Sequence, residues 1–198
     1  MIKNHVKKNR GKQQSNLDFK MMAFIFSIRD KFNKPIDVLK KTKINSGSYV
    51  LDYGCGPGSY SIASAELVGL SGKVFAADMH PLAIKKVNKK AAKKGLNNII
   101  TIQTDCNTNL EKKSIDVVFC FDTFHSLNHP EDNLSEFQRI LKDDGILYIM
   151  DHHLTDDEVI LGITDINLFK FLEKKEDLYK FIKSSKGGLF SNNTKDEF

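Results

Sequence analysis

A glycine-rich loop is the first stretch of the 198-residue sequence whose residue types could do chemistry. The segment VLDYGCGPG places Gly54, Gly56 and Gly58 between an apolar run that predicts a strand and a segment that predicts a helix. Glycines here let the backbone approach a ligand closely, and the helix start offers N–H donors. Asp52 lies two residues before the first glycine, where a carboxylate repels phosphate but attracts an ammonium or sulfonium group. The loop therefore predicts a cationic ligand without phosphate.

Two further aspartates follow predicted strands. Asp78 ends VFAAD, where a carboxylate can accept hydrogen bonds from both hydroxyls of a ribose, and Met79 can lie against an adenine face. Asp105 ends the third strand in TDC and can accept from the exocyclic amine of adenine, while the backbone N–H of Cys106 serves a ring nitrogen. An aspartate alone is more typical of a cap or a surface carboxylate. Acids at the ends of three successive strands, however, predict one ligand site along a sheet edge.

Histidines and carboxylates also gather after the fourth and fifth predicted strands. FDTFHSLNHP contains Asp122 and His125, and MDHHLTDDE contains Asp151, His152 and His153. Such groups can remove a proton from an acceptor, contact a substrate, join a mixed site for a divalent metal, or serve packing alone. Because neighbouring side chains of an extended chain point to opposite sides, we expect only one of the two adjacent histidines to face a pocket. This expectation weakens a metal site built from both.

The elements that position these residues follow from the hydrophobic pattern. Five apolar segments alternate with predicted helices, which indicates a parallel α/β sheet covered on both faces. The predicted strands are SYVLDYG, GKVFAAD, NIITIQTD, IDVVFCFD and GILYIMD. After a short predicted helix around TDDEVILGI, LFKFLEK and LYKFIK flank the tight KED and predict a hairpin that adds two strands, one of them antiparallel to the rest.

The domain organisation is predicted to be simple. We expect a flexible basic tail over residues 1–16, N-terminal helices over 17–44 with an interruption near Pro35, a core over 45–183, and a second flexible tail over 184–198. Residues 1–20 contain six Lys or Arg residues and one acid, so this segment alone carries the net charge of +5. We interpret it as a solvated start, although a basic tail can also attract RNA or acidic surfaces.

Composition excludes several classes of protein. Hydrophobic residues make up 40% and charged residues 28% of the chain, and no run approaches the roughly 18 apolar residues of a membrane helix. The start MIKNHVKKNRGK lacks the apolar core of a signal peptide. The three cysteines, an odd number without zinc-type spacing, are typical of reduced thiols. These features predict a cytoplasmic protein without a membrane partner.

The lysine-rich segment KKVNKKAAKK predicts a helix with its lysines on one face. An RNA-binding stripe is one interpretation, but helices of such a sheet flank it and do not cover its ligand edge. We therefore favour a solvated face. The apolar segment FKMMAFIF near the start predicts a helix that packs on the core.

In their order and spacing, these segments resemble the small, single-domain class I S-adenosylmethionine-dependent methyltransferases over roughly residues 45–183. VLDYGCGPG resembles the first motif of that family, VFAAD its second-strand acid, TDC its adenine contact, and RILKDDGILYIMD its lead into strand five. The resemblance implies a Rossmann-like, doubly wound sheet of seven strands with helices on both faces. It also implies methyl transfer from S-adenosylmethionine.

The resemblance also assigns roles by position. The expected cofactor-binding residues are Asp52, Gly54, Cys55, Gly56, Gly58, Asp78, Met79, Asp105, Cys106 and Phe121. The expected catalytic residues are His125, His152 and Asp122, with no resident metal. In this family the N-terminal helix often covers the cofactor or shapes the acceptor pocket. FKMMAFIF is therefore expected to serve this role as well as to pack on the core.

A small-molecule acceptor is the favoured interpretation, and its identity and the oligomeric state stay open. Methylation of RNA or protein is the alternative, and a protein that binds S-adenosylmethionine without transfer is a third. Strand four ends in FDTF, without the Asn/Asp-Pro-Pro-aromatic signature of enzymes that methylate base amines. A nucleic-acid partner is therefore not expected.

Overall fold

The protein, described as a computed structural model over residues 15–184, is built on one sheet of seven strands. The strand order is β3-β2-β1-β4-β5-β7-β6. The strands are β1 Tyr49–Tyr53, β2 Lys73–Asp78, β3 Ile99–Gln103, β4 Ile115–Phe121, β5 Leu141–Met150, β6 Phe169–Lys175 and β7 Leu178–Lys183. The predicted Rossmann-like sheet with a closing hairpin is confirmed.

Strand direction explains why the candidate residues meet. β1 pairs in parallel with β2 and β4, β2 with β3, and β4 with β5, so the carboxyl ends of all five strands lie along one edge. The hairpin departs from this pattern, because β7 pairs antiparallel with β5 and β6 pairs antiparallel with β7. In such sheets ligands bind beyond the carboxyl ends of the strands.

Local sequence signals account for most helix boundaries. The helices are α1 Asn16–Phe32, α2 Pro35–Leu39, α3 Ser59–Val68, α4 Pro81–Lys94, α5 Pro130–Ile140 and α6 Asp156–Thr164, with a short 3-10 helix at Phe124–Ser126. Prolines open α2, α4 and α5 at a position that needs no N–H donor. Thr155 and Glu158 form a capping box that starts α6. Gly95, with φ of 66°, ends α4.

Both faces of the sheet are covered, as the apolar strands predict. On one face Val118, Cys120 and Leu147 pack with Phe137 of α5 and Val159 of α6. The opposite face packs against α2 and α3, and its strand residues alternate with the first set. This second group includes Leu39, Ala65, Val68, Val117, Phe119, Phe121 and Tyr148. The alternation follows from the two-residue period of a strand.

The N-terminal region forms two helices separated at Asn33 and Lys34, as the position of Pro35 predicts. Ser15 caps α1 by accepting from the backbone N–H of Asp18 at 3.2 Å, so the helix already begins within the predicted tail. The remainder of both predicted tails, residues 1–14 and 185–198, lies outside the described residues. Among residues 15–184, none of the helices combines the length and apolar character needed to cross a membrane.

Candidate functional site

The glycine loop forms the floor of the site at the end of β1. Gly54 has φ of 73°, and a Cβ built on it would lie 2.3 Å from side-chain atoms of Thr123, which follows β4. Gly58 has φ of 80° at the start of α3, and a Cβ there would lie 2.6 Å from Cγ2 of Val87. Positive φ and close packing together restrict both positions to glycine. The backbone thus runs close to the open space above the sheet.

Two carboxylates flank this loop, one of them buried and the other half-buried. Asp52 is 2% exposed and accepts from the Ser61 hydroxyl at 2.5 Å. Burial raises the pKa of Asp52 to about 6, although the Ser61 hydroxyl lowers it, and the charge of Asp78 raises it further.

Asp78 accepts from the backbone N–H groups of Gly56 at 2.9 Å and His80 at 2.7 Å. Burial nevertheless raises the pKa of Asp78 above its ordinary value. Within residues 15–184, no lysine or arginine is among the groups that shift the pKa of Asp52 or Asp78. The two carboxylates make this end of the site acidic, and binding of a cation there stays a prediction.

The segment after β3 contributes one wall. Asp105 lines the cavity, and its backbone carbonyl accepts from the side-chain amide of Asn133 in α5 at 3.1 Å. The same amide donates to the Tyr53 hydroxyl at 2.6 Å. Cys106 faces a separate groove, and its backbone N–H donates to Thr104 Oγ1 at 3.1 Å. That bond differs from the expected contact of the Cys106 N–H with an adenine nitrogen.

Helix α1 roofs the site. Phe19 is buried and stacks on the His80 ring with centroids 4.5 Å apart. Further along α1, the Asp30 carboxylate accepts a hydrogen bond from the hydroxyl of Ser59, the first residue of α3. This bond joins the two helices. Arg29 lies over the Phe26 ring, 4.2 Å from its centroid. The predicted packing of FKMMAFIF on the core is present, and Met22 and Phe26 line the cavity from above.

The first histidine pairs with a buried carboxylate. His125 Nδ1 lies 2.9 Å from Asp151 Oδ2, and its backbone N–H donates to the same oxygen at 3.0 Å. Burial acts to raise the pKa of Asp151, but the hydrogen bonds from the ring and backbone of His125 and from the backbone of His153 outweigh it. They hold the pKa below its ordinary value. Because an ionised carboxylate only accepts, this contact assigns a hydrogen to Nδ1 of His125, and Nε2 is the ring nitrogen that takes no part in it.

The second histidine is held differently. His152 Nδ1 lies 2.6 Å from Asp122 Oδ1, and its Nε2 lies 3.8 Å from Asp177 Oδ2. The other oxygen of Asp122 accepts from Arg29 at 3.3 Å, so this carboxylate joins β4, the turn after β5 and α1. Both ring nitrogens of His152 thus face carboxylates at the rim of the site.

The expectation that only one of the adjacent histidines faces the pocket is wrong. Both His152 and His153 line the cavity, because the chain turns directly after Met150 and does not continue as a strand. The His153 ring lies against that of His125, with centroids 4.2 Å apart. Within residues 15–184, no group of three or more His, Cys, Asp or Glu side chains is arranged to hold a metal ion.

These parts enclose a cavity of about 980 Å³. The expected site residues that line it are Gly54, Gly56, Asp78, Met79, Asp105, Phe121, Asp122, His125 and His152. Four others, Asp52, Cys55, Gly58 and Cys106, are not part of its lining. Asp52 and Cys55 are buried beneath the loop.

Sequence reasoning missed several residues that shape the site. Arg29 joins α1 to Asp122 after β4, and Asp30 joins α1 to Ser59 at the start of α3. The long sequence separations of these pairs leave no local signal. Asn133 is buried in α5 and supports Asp105. A polar residue on the apolar face of a helix is the one signal that could have indicated it.

The fold, the glycine loop and the strand-end carboxylates define a class I methyltransferase fold of the small, single-domain type. A family profile described as a methyltransferase domain matches residues 44–194. The chain belongs to this methyltransferase-domain family, and the predicted resemblance is confirmed.

Two curated relatives give the level of similarity. The ubiquinone/menaquinone biosynthesis C-methyltransferase UbiE of Blochmanniella pennsylvanica is 31% identical over 136 residues, which cover 68% of this chain and 54% of the relative. The demethylmenaquinone methyltransferase of Lactobacillus johnsonii is 28% identical over 151 residues, 72% of this chain and 62% of the relative. The chain spans roughly half the length of these curated relatives.

A solved structure gives the same result for the fold. The crystal structure of a S-adenosylmethionine-dependent methyltransferase from Aquifex aeolicus superposes with a TM-score of 0.69 and 26% sequence identity. The match covers 75% of this chain and 89% of that protein.

Proposed function

We propose that this protein transfers a methyl group from S-adenosylmethionine to a small-molecule acceptor. One observation carries the proposal. The cavity bordered by the glycine loop and Asp78 is also lined by His125, whose ring is held by the buried Asp151. A site for a cationic nucleoside and a group able to accept a proton therefore share one enclosed space.

The residues present fit this cofactor. S-Adenosylmethionine, when bound, supplies a methyl group activated by a positively charged sulfur. Gly54 and Gly56 allow the backbone to lie close to the methionine part, and the buried charge of Asp52 favours its ammonium group from beneath the loop. Asp78 accepts from the ribose hydroxyls, and Asp105 and Met79 bound the adenine. The other expected cofactor-binding residues belong to the segments that form this site. Cys55 and Gly58 lie in the glycine loop, Cys106 follows β3, and Phe121 ends β4.

His125 is the base in this proposal. Its Nδ1 is occupied by Asp151, so Nε2 can take a proton from the acceptor as the methyl group arrives. His152 lies between Asp122 and Asp177, and we assign it and Asp122 to the rim, where they hold α1 through Arg29 and contact the acceptor. Alignment of the acceptor with the methyl group, and exclusion of water by helix α1, contribute the remaining rate acceleration.

The lining supports a small acceptor with apolar surface. Phe19, Met22, Phe26, Phe121 and Leu127 provide that surface. The names of the UbiE and demethylmenaquinone methyltransferase relatives refer to small-molecule substrates, which supports the same class. The three free cysteines support a reducing compartment, and we place the protein in the cytoplasm.

Calorimetric titration with S-adenosylmethionine and S-adenosylhomocysteine tests the cofactor site. We expect both to bind, and Asp78→Ala to weaken binding at least about tenfold because two charge-assisted hydrogen bonds are lost. Asp78→Asn keeps an acceptor for one of the two backbone N–H groups, of Gly56 and His80, and serves as a milder second variant. Asp144→Ala, an exposed aspartate toward the amino end of β5, is the matched control.

Absence of measurable affinity for either compound contradicts the proposed function as a whole. Binding that both Asp78 variants leave unchanged contradicts the site assignment alone. With binding established, release of S-adenosylhomocysteine during a screen of candidate acceptors identifies the second substrate.

A further inference from the structure

Helix α1 carries apolar side chains on two opposite faces. The inner face places buried Phe19 and Ala23 against the protein. The outer face leaves six large apolar side chains between 43% and 82% exposed, namely Leu17, Met21, Phe24, Ile25, Ile28 and Phe32. Their spacing of three or four residues aligns them in one stripe along the helix. An exposed apolar patch of this kind marks an interaction surface.

The charges beside this outer stripe are positive. Lys20 and Lys31 are exposed on α1, and Lys34 follows directly. The two acids of α1 are engaged elsewhere, because Asp18 accepts from the capping Ser15 and Asp30 from Arg29 and Ser59. Residues 1–20 contain six basic residues and one acid. The stripe therefore lies in a basic setting, and its partner should be apolar and negatively charged.

We infer that the outer stripe of α1 docks on the surface of an anionic lipid bilayer. An amphipathic helix with Phe, Leu and Ile on one side and lysines beside them can lie in the interface plane, with its apolar side at the acyl boundary and its lysines at the phosphates. With 17 residues, α1 is about 25 Å long and presents several turns to such a surface. The prediction that the protein has no membrane partner is based on the lack of a membrane-spanning segment. Docking on a bilayer surface does not need such a segment.

A second copy of the chain is the competing occupant. Pairing two stripes would bury the same apolar side chains, but it would also bring together the lysines that border each stripe, and like charges at close range oppose such contact. An anionic surface instead attracts those lysines. The charge pattern therefore favours lipid.

The experiment is co-sedimentation of the full chain with vesicles of equimolar phosphatidylcholine and phosphatidylglycerol, beside vesicles of phosphatidylcholine alone. We expect stronger binding to the anionic vesicles, and weaker binding as NaCl is raised. The double variant Phe24→Ser/Phe32→Ser should lower partition at least about tenfold because two aromatic side chains no longer enter the interface.

The matched control is Leu70→Ser/Leu172→Ser, which removes two exposed apolar side chains elsewhere, 97% and 50% exposed, and should leave partition unchanged. Thermal unfolding by circular dichroism checks that both variants are folded. Wild-type protein that stays in the supernatant, or equal partition of the two variants, overturns the inference. So does light scattering that shows a wild-type dimer converted to a monomer by the α1 variant, since a second copy then covers the stripe.

Discussion

Asp122 and Asp151, at the ends of neighbouring strands, hold two histidines in different ways. Asp151 is buried and gives both oxygens to the His125 ring and to backbone N–H groups after β4 and β5. Asp122 divides its oxygens between His152 and Arg29. The Asp151 bonds fix the His125 ring within the cavity, and the Asp122 bonds connect His152 with Arg29 at the rim of the cavity. A proton acceptor needs a fixed ring with one free nitrogen, which only the first arrangement provides.

His125→Gln should lower the turnover number roughly 100-fold, the usual contribution of a general base, while the affinity for S-adenosylhomocysteine stays unchanged. Asp151→Asn should lower turnover by at least a similar factor, because its side-chain amide can donate to Nδ1 and so favours the His125 tautomer with hydrogen on Nε2. Steady-state kinetics with the acceptor found by screening, together with calorimetry, separates turnover from binding. His129→Gln, an exposed histidine before α5, is the control. Loss of cofactor affinity in His125→Gln, or turnover as high as in the control, contradicts the assignment.

At the scale of elements, the glycine loop and the roof helix differ in how far the sequence predicts them. The loop is local: a strand, three alternate glycines and a helix follow one another within 20 residues, so the pattern suffices. The roof depends on contacts such as Arg29 with Asp122, separated by 93 residues. Residue type predicts that α1 is a helix, but not which of its apolar faces meets the protein. Tertiary packing decides that.

Gly54→Ala tests the loop, because the new Cβ would meet Thr123 at 2.3 Å in a backbone with φ of 73°. We expect a loss of about 2–4 kcal/mol in the free energy of unfolding, from overpacking and left-handed strain together. Gly95→Ala provides the matched control, since φ is 66° but nothing lies within 4 Å. It should lose about 1 kcal/mol from strain alone. Urea unfolding measures both, and equal losses would show that Thr123 yields without cost.

At the scale of the whole molecule, the sheet is the part that the sequence predicts best. The central strands β1 and β4 and the second half of β5 are nearly all apolar, so a parallel sheet between helix layers buries both of their faces. The strand-end carboxylates then share an edge without further information. What the sequence does not reveal is their burial: Asp52 and Asp151 are 2% and 5% exposed, and yet their pKa values move in opposite directions. Hydrogen-bond partners distant in sequence cause this difference.

These opposite shifts predict how the stability of the ligand-free protein depends on pH. The pKa of Asp52 is raised from 3.8 to about 6 in the folded state, so the folded protein holds this proton more tightly and gains stability as pH falls from about 7 toward 4. The pKa of Asp78 is also raised by burial, with the same sign. For Asp151, burial is outweighed by hydrogen bonds that lower the pKa, so its contribution is present above the ordinary pKa and lost as pH falls below it.

We therefore expect the free energy of unfolding to reach its maximum near pH 4, where the gain from Asp52 levels off and the loss from Asp151 begins. Asp52→Asn should remove most of the rise between about pH 7.5 and 4, at most about 3 kcal/mol for a shift of this size, and should make the protein more stable at pH 7.5. The same variant should bind S-adenosylmethionine more weakly, because the loop loses the charge that favours the ammonium group. Urea unfolding at stepped pH measures the curve, with Asp144→Asn as the exposed control. If Asp52→Asn retains the wild-type slope, the buried carboxylate does not govern the pH dependence.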